Sequence, residues 1–392
     1  MVGGKATRPW SGSKPYESTK KGKVECLFHD KLVEDMAVAY WMSLLDFGLG
    51  RLCFGVDLEM ELLRYQGGIH STTDQMESSG WRNESSVSIF FIVGLSETAD
   101  PQILLFLVFL AIYLITVIGN IVILGVISSD KRLHTPMYFF LANLAAVDIF
   151  LSSVTVPKLL YILATAQKSI SYAGCVTQLY FFQLFMVVEC YILTVMAYDR
   201  YVAICFPLNY TLIMSREVRI RIVLACWASG LLNSVVQAVS ICHLDFCSPN
   251  KVDHFFCDVT PLFKLSCSDT KVGEGLFMIV VVIAGMGPLI FILVTYGRII
   301  AAVTKISTSK GRQKTFSTCA SHFMVVALYY GSGIFSYIWP SSTYAMDKDV
   351  KVVAVLYTIM TPMLNPIIYS LRNREVIQAM RKAVGIHSNQ RG

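Results

Sequence analysis

Seven long apolar runs, separated by short polar connections, constrain this 392-residue chain more than any other feature. They are Pro101–Ile127, Pro136–Leu163, Cys175–Ile204, Ile220–Ile241, Gly273–Val303, Phe316–Trp339 and Val350–Leu371. At about 1.5 Å of rise per helical residue, each is long enough to cross a hydrocarbon layer roughly 30 Å thick. Within that layer a segment must satisfy its own backbone polar groups, so runs of this length are expected to be helices. The fold class is therefore all-α, a seven-transmembrane helical bundle. Charged residues make up only 15% of the chain and hydrophobic ones 54%, which sets it apart from soluble domains.

An odd number of crossings puts the termini on opposite sides, and the lysine and arginine bias says which is which. One set of connections carries Lys131, Arg132, Arg216, Arg219, Arg221, Lys305, Lys310, Arg312 and Lys314, and continues into Arg372, Arg374, Arg381 and Lys382. On the other side Lys168, Lys251, Lys264 and Lys348 are offset by Asp245, Asp253, Asp258, Asp347 and Asp349. The basic side is cytosolic and the N-terminus extracellular. The net charge of +6 thus reflects topology, and no nucleic-acid partner is expected.

The chain divides into residues 1–75, 76–100, 101–371 and 372–392. Residues 1–75 mix both charge signs, and their best apolar stretch, 36–56, is broken by Asp46 and Arg51. This extension is expected to be disordered or untranslated, with Met76 as the working start. Residues 76–100 form a short extracellular segment whose Asn83-Glu84-Ser85 satisfies the N-glycosylation rule. Residues 101–371 hold the spans. In the cytosolic tail, basic residues alternate with Val376, Ile377, Met380 and Val384, a pattern expected to lie on the inner leaflet as a short amphipathic helix.

Ionisable groups inside a membrane are costly and carry function by default. Asp148 and Glu189 are the clearest, with Asn120 and Asn365 as polar companions. They form either a fixed polar network or a cation or proton site, sodium being the ion to expect beside Asp148 and Glu189. Arg200 follows Cys175 by about 37 Å of helix, so one span holds a cysteine at its outer end and Asp199-Arg200 at its inner end. Asn365-Pro366 places a helix-breaking proline near the cytosolic end of the last span, a candidate hinge.

Outside the membrane, the connection from Cys242 to Lys271 holds four cysteines. A bond from one of them to Cys175 pins the loop over the bundle mouth; five cysteines leave one over, and spacing does not say which. No phosphate-binding glycine loop, HExxH or nucleophile elbow occurs, so no enzyme activity and no cofactor are expected. His134, His254 and His322 read as loop or helix-end residues rather than metal ligands. A transporter or channel using Asp148 and Glu189 is the competing class, but the inverted repeats or broken helices it requires are not evident.

Five stretches then spell a family: Gly119-Asn120, LHTPMYFFLANLAAVD from Leu133, MAYDRYVAIC from Met196, KTFSTCASH from Lys314, and PMLNPIIYSLRN from Pro362. From Met76 onward the chain resembles the vertebrate odorant receptors, a branch of the rhodopsin-like G-protein-coupled receptors. The resemblance implies a small volatile odorant as ligand and a heterotrimeric stimulatory olfactory G protein as partner, with a rise in cAMP. It also implies a multi-pass plasma-membrane site in the cilia of olfactory sensory neurons, with a trafficking helper among the expected partners. Arg200 corresponds to the family's switch arginine, assisted by Asp199, Tyr201, Tyr296, Asn365, Pro366 and Tyr369. Its disulfides fall on Cys175 with Cys257 and Cys247 with Cys267, leaving Cys242 as the odd one.

The pocket positions that match the family are Phe182, Gln183, Met186 and Val187, then Val280 and Ala284, then Tyr330, Gly333, Ile334 and Tyr337. A cavity so lined is mostly apolar, with Gln183 and two tyrosine hydroxyls as polar groups, and with no acid pointing inward it favours an alcohol, ester, ketone or aldehyde over an amine. Tyr329, Phe206, Asn209 and Thr295 depart from the family's usual residues. A chemosensor acting in another tissue has the same sequence signature.

Overall fold

A computed structural model describes residues 88–95, 102–247, 250–304, 309–338, 346–372 and 374–383. The expectations for residues 1–75 and Asn83 lie outside this set. The helices are α1 (Gln102–Ser129), α2 (Pro136–Thr165), α3 (Tyr172–Cys205), α4 (Arg216–Cys242), α5 (Lys271–Val303) and α6 (Ser309–Ile338). Then come α7, which runs through Met346–Val355, Leu356–Met360 and Thr361–Arg372, and α8 (Arg374–Ala383).

Six of these helices are long and apolar enough to cross a membrane by length and composition alone: α1 to α5, and α7 over Val350–Tyr369. The remaining crossing is α6, which starts at Ser309 rather than at Phe316. Its first two turns carry Lys310, Arg312 and Lys314, so the helix continues past the apolar run into the cytosol. Hydropathy marks where a helix enters lipid, not where its hydrogen bonding stops.

Burial sorts the bundle. The most apolar window of α3 is 78% buried, whereas those of α1 and α5 are 22% buried. A helix apolar all round but buried on one side turns its remaining surface to lipid, so α3 is the central post and α1 and α5 are peripheral. Helix starts follow capping rules: Ser171 accepts from the Gly174 N–H at the head of α3, and Pro136 sits in the first turn of α2. α2 ends on Ala166, whose φ of 58° gives a left-handed cap returning its N–H to the Ile162 carbonyl.

The extracellular side carries a feature that the apolar pattern did not signal, a three-stranded sheet in the order β2 (Ser169–Ser171), β1 (Ile89–Ile92), β3 (Lys251–Val252). β1 runs antiparallel to β2, with Phe90 opposite Ile170, and parallel to β3, with Phe91 opposite Lys251. Phe90 and Ile92 point inward and are buried, and Phe90 packs edge-on against Phe246 at 5.1 Å. Strands of two to four residues are too short to leave a periodic signal in the sequence.

Two disulfides between described cysteines hold the outer loop. Cys175 at the head of α3 bonds Cys257, and Cys247 bonds Cys267, with Cα separations of 5.4 and 5.9 Å. Cys242, expected to be left over, is itself disulfide-bonded. Parity over five cysteines required one to be left over and the resemblance assigned that place to Cys242; the count was drawn over too small a set of cysteines.

On the cytosolic side α8 buries Val376 and Ala379 and exposes Arg381 and Lys382. It is held to α2 by the Tyr138 hydroxyl, which donates to Glu375 at 2.7 Å.

Candidate functional site

The central cavity lies between α3, α5 and α6, with a free volume of about 100 Å³. From α3 it is bordered by Gln183, Met186, Val187 and Cys190, one face of the helix over about two turns. α5 contributes Phe277, Val280, Val281, Ala284, Gly285 and Met286, and α6 contributes Tyr329, Tyr330, Gly333, Ile334 and Tyr337. Every expected position borders this cavity except Phe182. That ring is fully buried and packs on Phe256 of the outer loop at 4.6 Å, so it props the loop instead of facing the space below.

Some lining residues were legible in principle. Cys190 follows Met186 by four residues and Phe277 precedes Val280 by three, so each lies on a face already marked. Val281, Gly285 and Met286 reach the cavity because α5 widens into a π-helical turn over Val281–Met286. No periodicity argument anticipates such a turn.

The lining tyrosines are committed within the protein. Tyr329 donates to the Met186 carbonyl at 2.8 Å, and Tyr330 to the Cys190 carbonyl at 3.4 Å. Tyr337 donates to Asp258 at 3.2 Å and accepts from Tyr357 of α7 at 3.0 Å. Gln183 makes no hydrogen bond among the described residues, so its amide is the lining side chain's open polar capacity. No acid lines the cavity, but the carboxylate of Asp258 stands one hydrogen bond behind it.

Asp258 belongs to the roof. It caps the short helix Val259–Leu265 through the Val259 N–H at 2.8 Å and is 2% exposed. Burial pushes its carboxyl up to about 6, against the pull of the bonds from Val259 and Tyr337. Nearby, Asp253 pairs with Lys351 of α7. His254 is buried, stacked on Phe255 and edge-on to Phe256, and burial with the Lys351 charge pushes its imidazole down to about 3.

Toward the cytosol, His322 corrects the expectation of a loop or helix-end residue. It lies inside α6, is 2% exposed, and spans two helices: Nε2 is 3.0 Å from the Leu193 carbonyl and Nδ1 is 2.6 Å from the Tyr296 hydroxyl. A carbonyl only accepts, so Nε2 carries the proton, Nδ1 is bare, and Tyr296 donates to it. Tyr329, Tyr330 and His322 therefore fasten α6 to three carbonyls of α3, each about one helical turn from the next.

Of the other motif residues, Asn365 directs its amide to both oxygens of Asp148, at 3.0 and 2.9 Å. Asn120 joins α1 to α7 through the Pro362 carbonyl at 3.1 Å. Gly119 suits a close approach, since a Cβ there would stand 3.1 Å from the Pro366 ring, a tight contact. Glu189 is fully buried, with neither carboxylate oxygen bonded among the described residues, and the Tyr369 hydroxyl is likewise unbonded.

Asp199 accepts from Tyr210 at 2.8 Å rather than pairing with its neighbour Arg200. Arg200 is half-buried and forms no ion pair among the described residues. Tyr201 packs edge-on against Phe206 at 5.6 Å.

A seven-helix bundle with a roofed cavity near one face and a side-chain contact joining three helices near the other is the architecture of the G-protein-coupled receptor class. Comparison with known proteins gives the branch. The family described as olfactory receptor matches residues 109–386. Olfactory receptor 1J21 of Mus musculus is 50% identical over 302 residues, 77% of this chain and 96% of the relative. Olfactory receptor 1M1 of Homo sapiens is 48% identical over 306 residues, again 77% and 96%, and olfactory receptor 3A10 of Mus musculus 46% identical over 309 residues, 79% and 98%. The chain belongs to the olfactory receptor family. It is a multi-pass membrane receptor and not an enzyme.

Proposed function

We propose that residues 76–392 form a working odorant receptor that binds a small, volatile, largely apolar molecule between α3, α5 and α6. It then activates a stimulatory olfactory G protein and raises cAMP. The observation that carries this reading is the fastening of α6 to α3. Tyr329 and Tyr330 line the cavity and hold carbonyls of α3, and His322 holds a third nearer the cytosol. A ligand that displaces the upper tyrosines loosens the same helix joint that Arg200, Tyr296 and Tyr369 border below.

Several assignments complete the proposal. Asp199, Arg200 and Tyr201 form the G-protein-facing end, and Asn365 with Pro366 lets α7 adjust. The unbonded carboxylate of Glu189, in the same interior as Asp148, fits a monovalent cation such as sodium. Asn83 is the glycosylation site, and olfactory cilia are the destination, reached with a trafficking helper.

The test is expression from Met76 with a cAMP reporter and a broad odorant panel, beside Arg200→Ala. A ligand-dependent rise that the substitution alters supports a coupled receptor. No response to any odorant, from protein verified at the cell surface, goes against it.

A further inference from the structure

We infer that Gly285 sets the length of ligand the cavity accepts. The inference rests on reading this cavity as the ligand site, and it concerns a residue that the family motifs do not mark.

The cavity has an outer and an inner end. Gln183, with its uncommitted amide, lies at the outer end of α3, and Cys190 lies seven residues deeper, about 10 Å along the helix. Gly285 belongs to the inner end, on the π-helical turn of α5. Ala284, Gly285 and Met286 all border the space. Three consecutive residues of an ordinary α-helix spread over about 200° and do not share one wall. The wider turn is what brings them round, and π-helical turns of this kind concentrate at functional sites.

A Cβ built on Gly285 meets no atom within 4 Å, whereas one on Gly230 of α4 meets a Val188 methyl at 2.7 Å. Gly285 is therefore not small to let helices approach. It is a half-buried, cavity-bordering position with room for a side chain, and the inference assigns that room to the ligand's far end. A molecule with one polar group on Gln183 and a chain about 10 Å long fills the space; a side chain at Gly285 shortens it.

The test uses the full chain, purified in nanodiscs, with straight-chain alcohols from butanol to decanol as probes and ligand-induced thermal stabilisation as readout, which does not depend on signalling. Gly285→Ala and Gly285→Val are compared with wild type and with Gly331→Val, a position on α6 that is exposed, open and not on the cavity wall. The expected result is a length cut-off that moves to shorter alcohols in the order wild type, alanine, valine. The longest accepted alcohol loses affinity at least about tenfold in the valine variant, as one methylene too many in a closed pocket does. Gly331→Val keeps the wild-type profile. An unchanged cut-off in both Gly285 variants, or the same shift in Gly331→Val, overturns the inference while leaving the cavity as the ligand site. If no alcohol stabilises wild type, the cavity reading itself fails, and the length gauge with it. The alanine variant guards against misfolding, because alanine strengthens helix propensity and adds only one carbon.

Discussion

The hydroxyl of Tyr296 lies 2.6 Å from Nδ1 of His322, with the two rings nearly parallel at 17°. The imidazole thereby holds α5 on one side and the Leu193 carbonyl of α3 on the other. Of the described contacts on the cytosolic half, this one joins three helices through a single side chain.

Replacing His322 by phenylalanine removes both bonds and leaves the Tyr296 hydroxyl and the Leu193 carbonyl to find other partners. Each lost bond is worth about 0.5–1.5 kcal/mol. His322→Phe is expected to raise basal cAMP several-fold at equal surface expression, with Tyr296→Phe, which removes one bond, giving a smaller rise. Basal reporter activity normalised to surface receptor measures it.

Asn365 supplies both hydrogen bonds that Asp148 receives among the described residues. Bonds to a charged group contribute about 1.5–3 kcal/mol, and a buried carboxylate left bare costs more. Asn365→Ala is expected to lower the melting temperature of the purified receptor strongly, and Asp148→Asn in the same background to recover part of the loss, because it removes the charge that needed pairing.

The roof contains two titrating groups of opposite sense. Asp258 has its pKa raised to about 6, so its contribution is fully present below the ordinary value near 3.8 and is lost as pH rises through 6. His254 has its pKa lowered to about 3, so its contribution is present above 6.5 and lost as pH falls toward 3. Between pH 4 and 6 the two oppose each other. Wild type is expected to show a shallow dependence of melting temperature on pH in this window. His254→Phe should become more stable on acidification, and Asp258→Asn less stable. Equal slopes in the two variants would contradict the assignment.

The disulfides close loops of unlike length, 82 residues between Cys175 and Cys257 and 20 between Cys247 and Cys267. Longer closures restrict the unfolded chain more. Losing the first bond also frees the loop from the head of α3, above Phe182 and Phe256. Cys175→Ser with Cys257→Ser is therefore expected to reduce surface expression more than Cys247→Ser with Cys267→Ser, as read by flow cytometry.

How much of this was legible in sequence depends on the kind of signal. Lipid-crossing helices announce themselves by run length, and the apolar runs lie within α1 to α5 and most of α6 and α7. Asp148 and Asn365 stood out because polar groups in apolar runs are conspicuous, whereas Tyr296 was marked only by the family resemblance. Facing was harder: Phe182 and Gln183 are adjacent, yet one holds the roof and the other borders the cavity, a difference settled by Phe256 from a loop far away in sequence. The π-helical turn that presents Gly285 depends on a local misfit in hydrogen bonding with no compositional mark. His322 was misread because its stretch begins in basic cytosolic residues, while the helix carries it inward to α3. The fate of Cys242 was beyond a count confined to one face.

The α6 side chains that bind α3 reach backbone carbonyls at Met186, Cys190 and Leu193, and Tyr329 also meets the sulfurs of Met186 and Cys190, each at 3.4 Å. Every amino acid supplies a carbonyl acceptor, so exchanging Met186 or Cys190 removes a sulfur contact of Tyr329 but leaves the main-chain bonds of the joint in place. Under the proposed function, ligand preference is written in the side chains of the third helix and the joint largely in its main chain, so the one can change at little cost to the other.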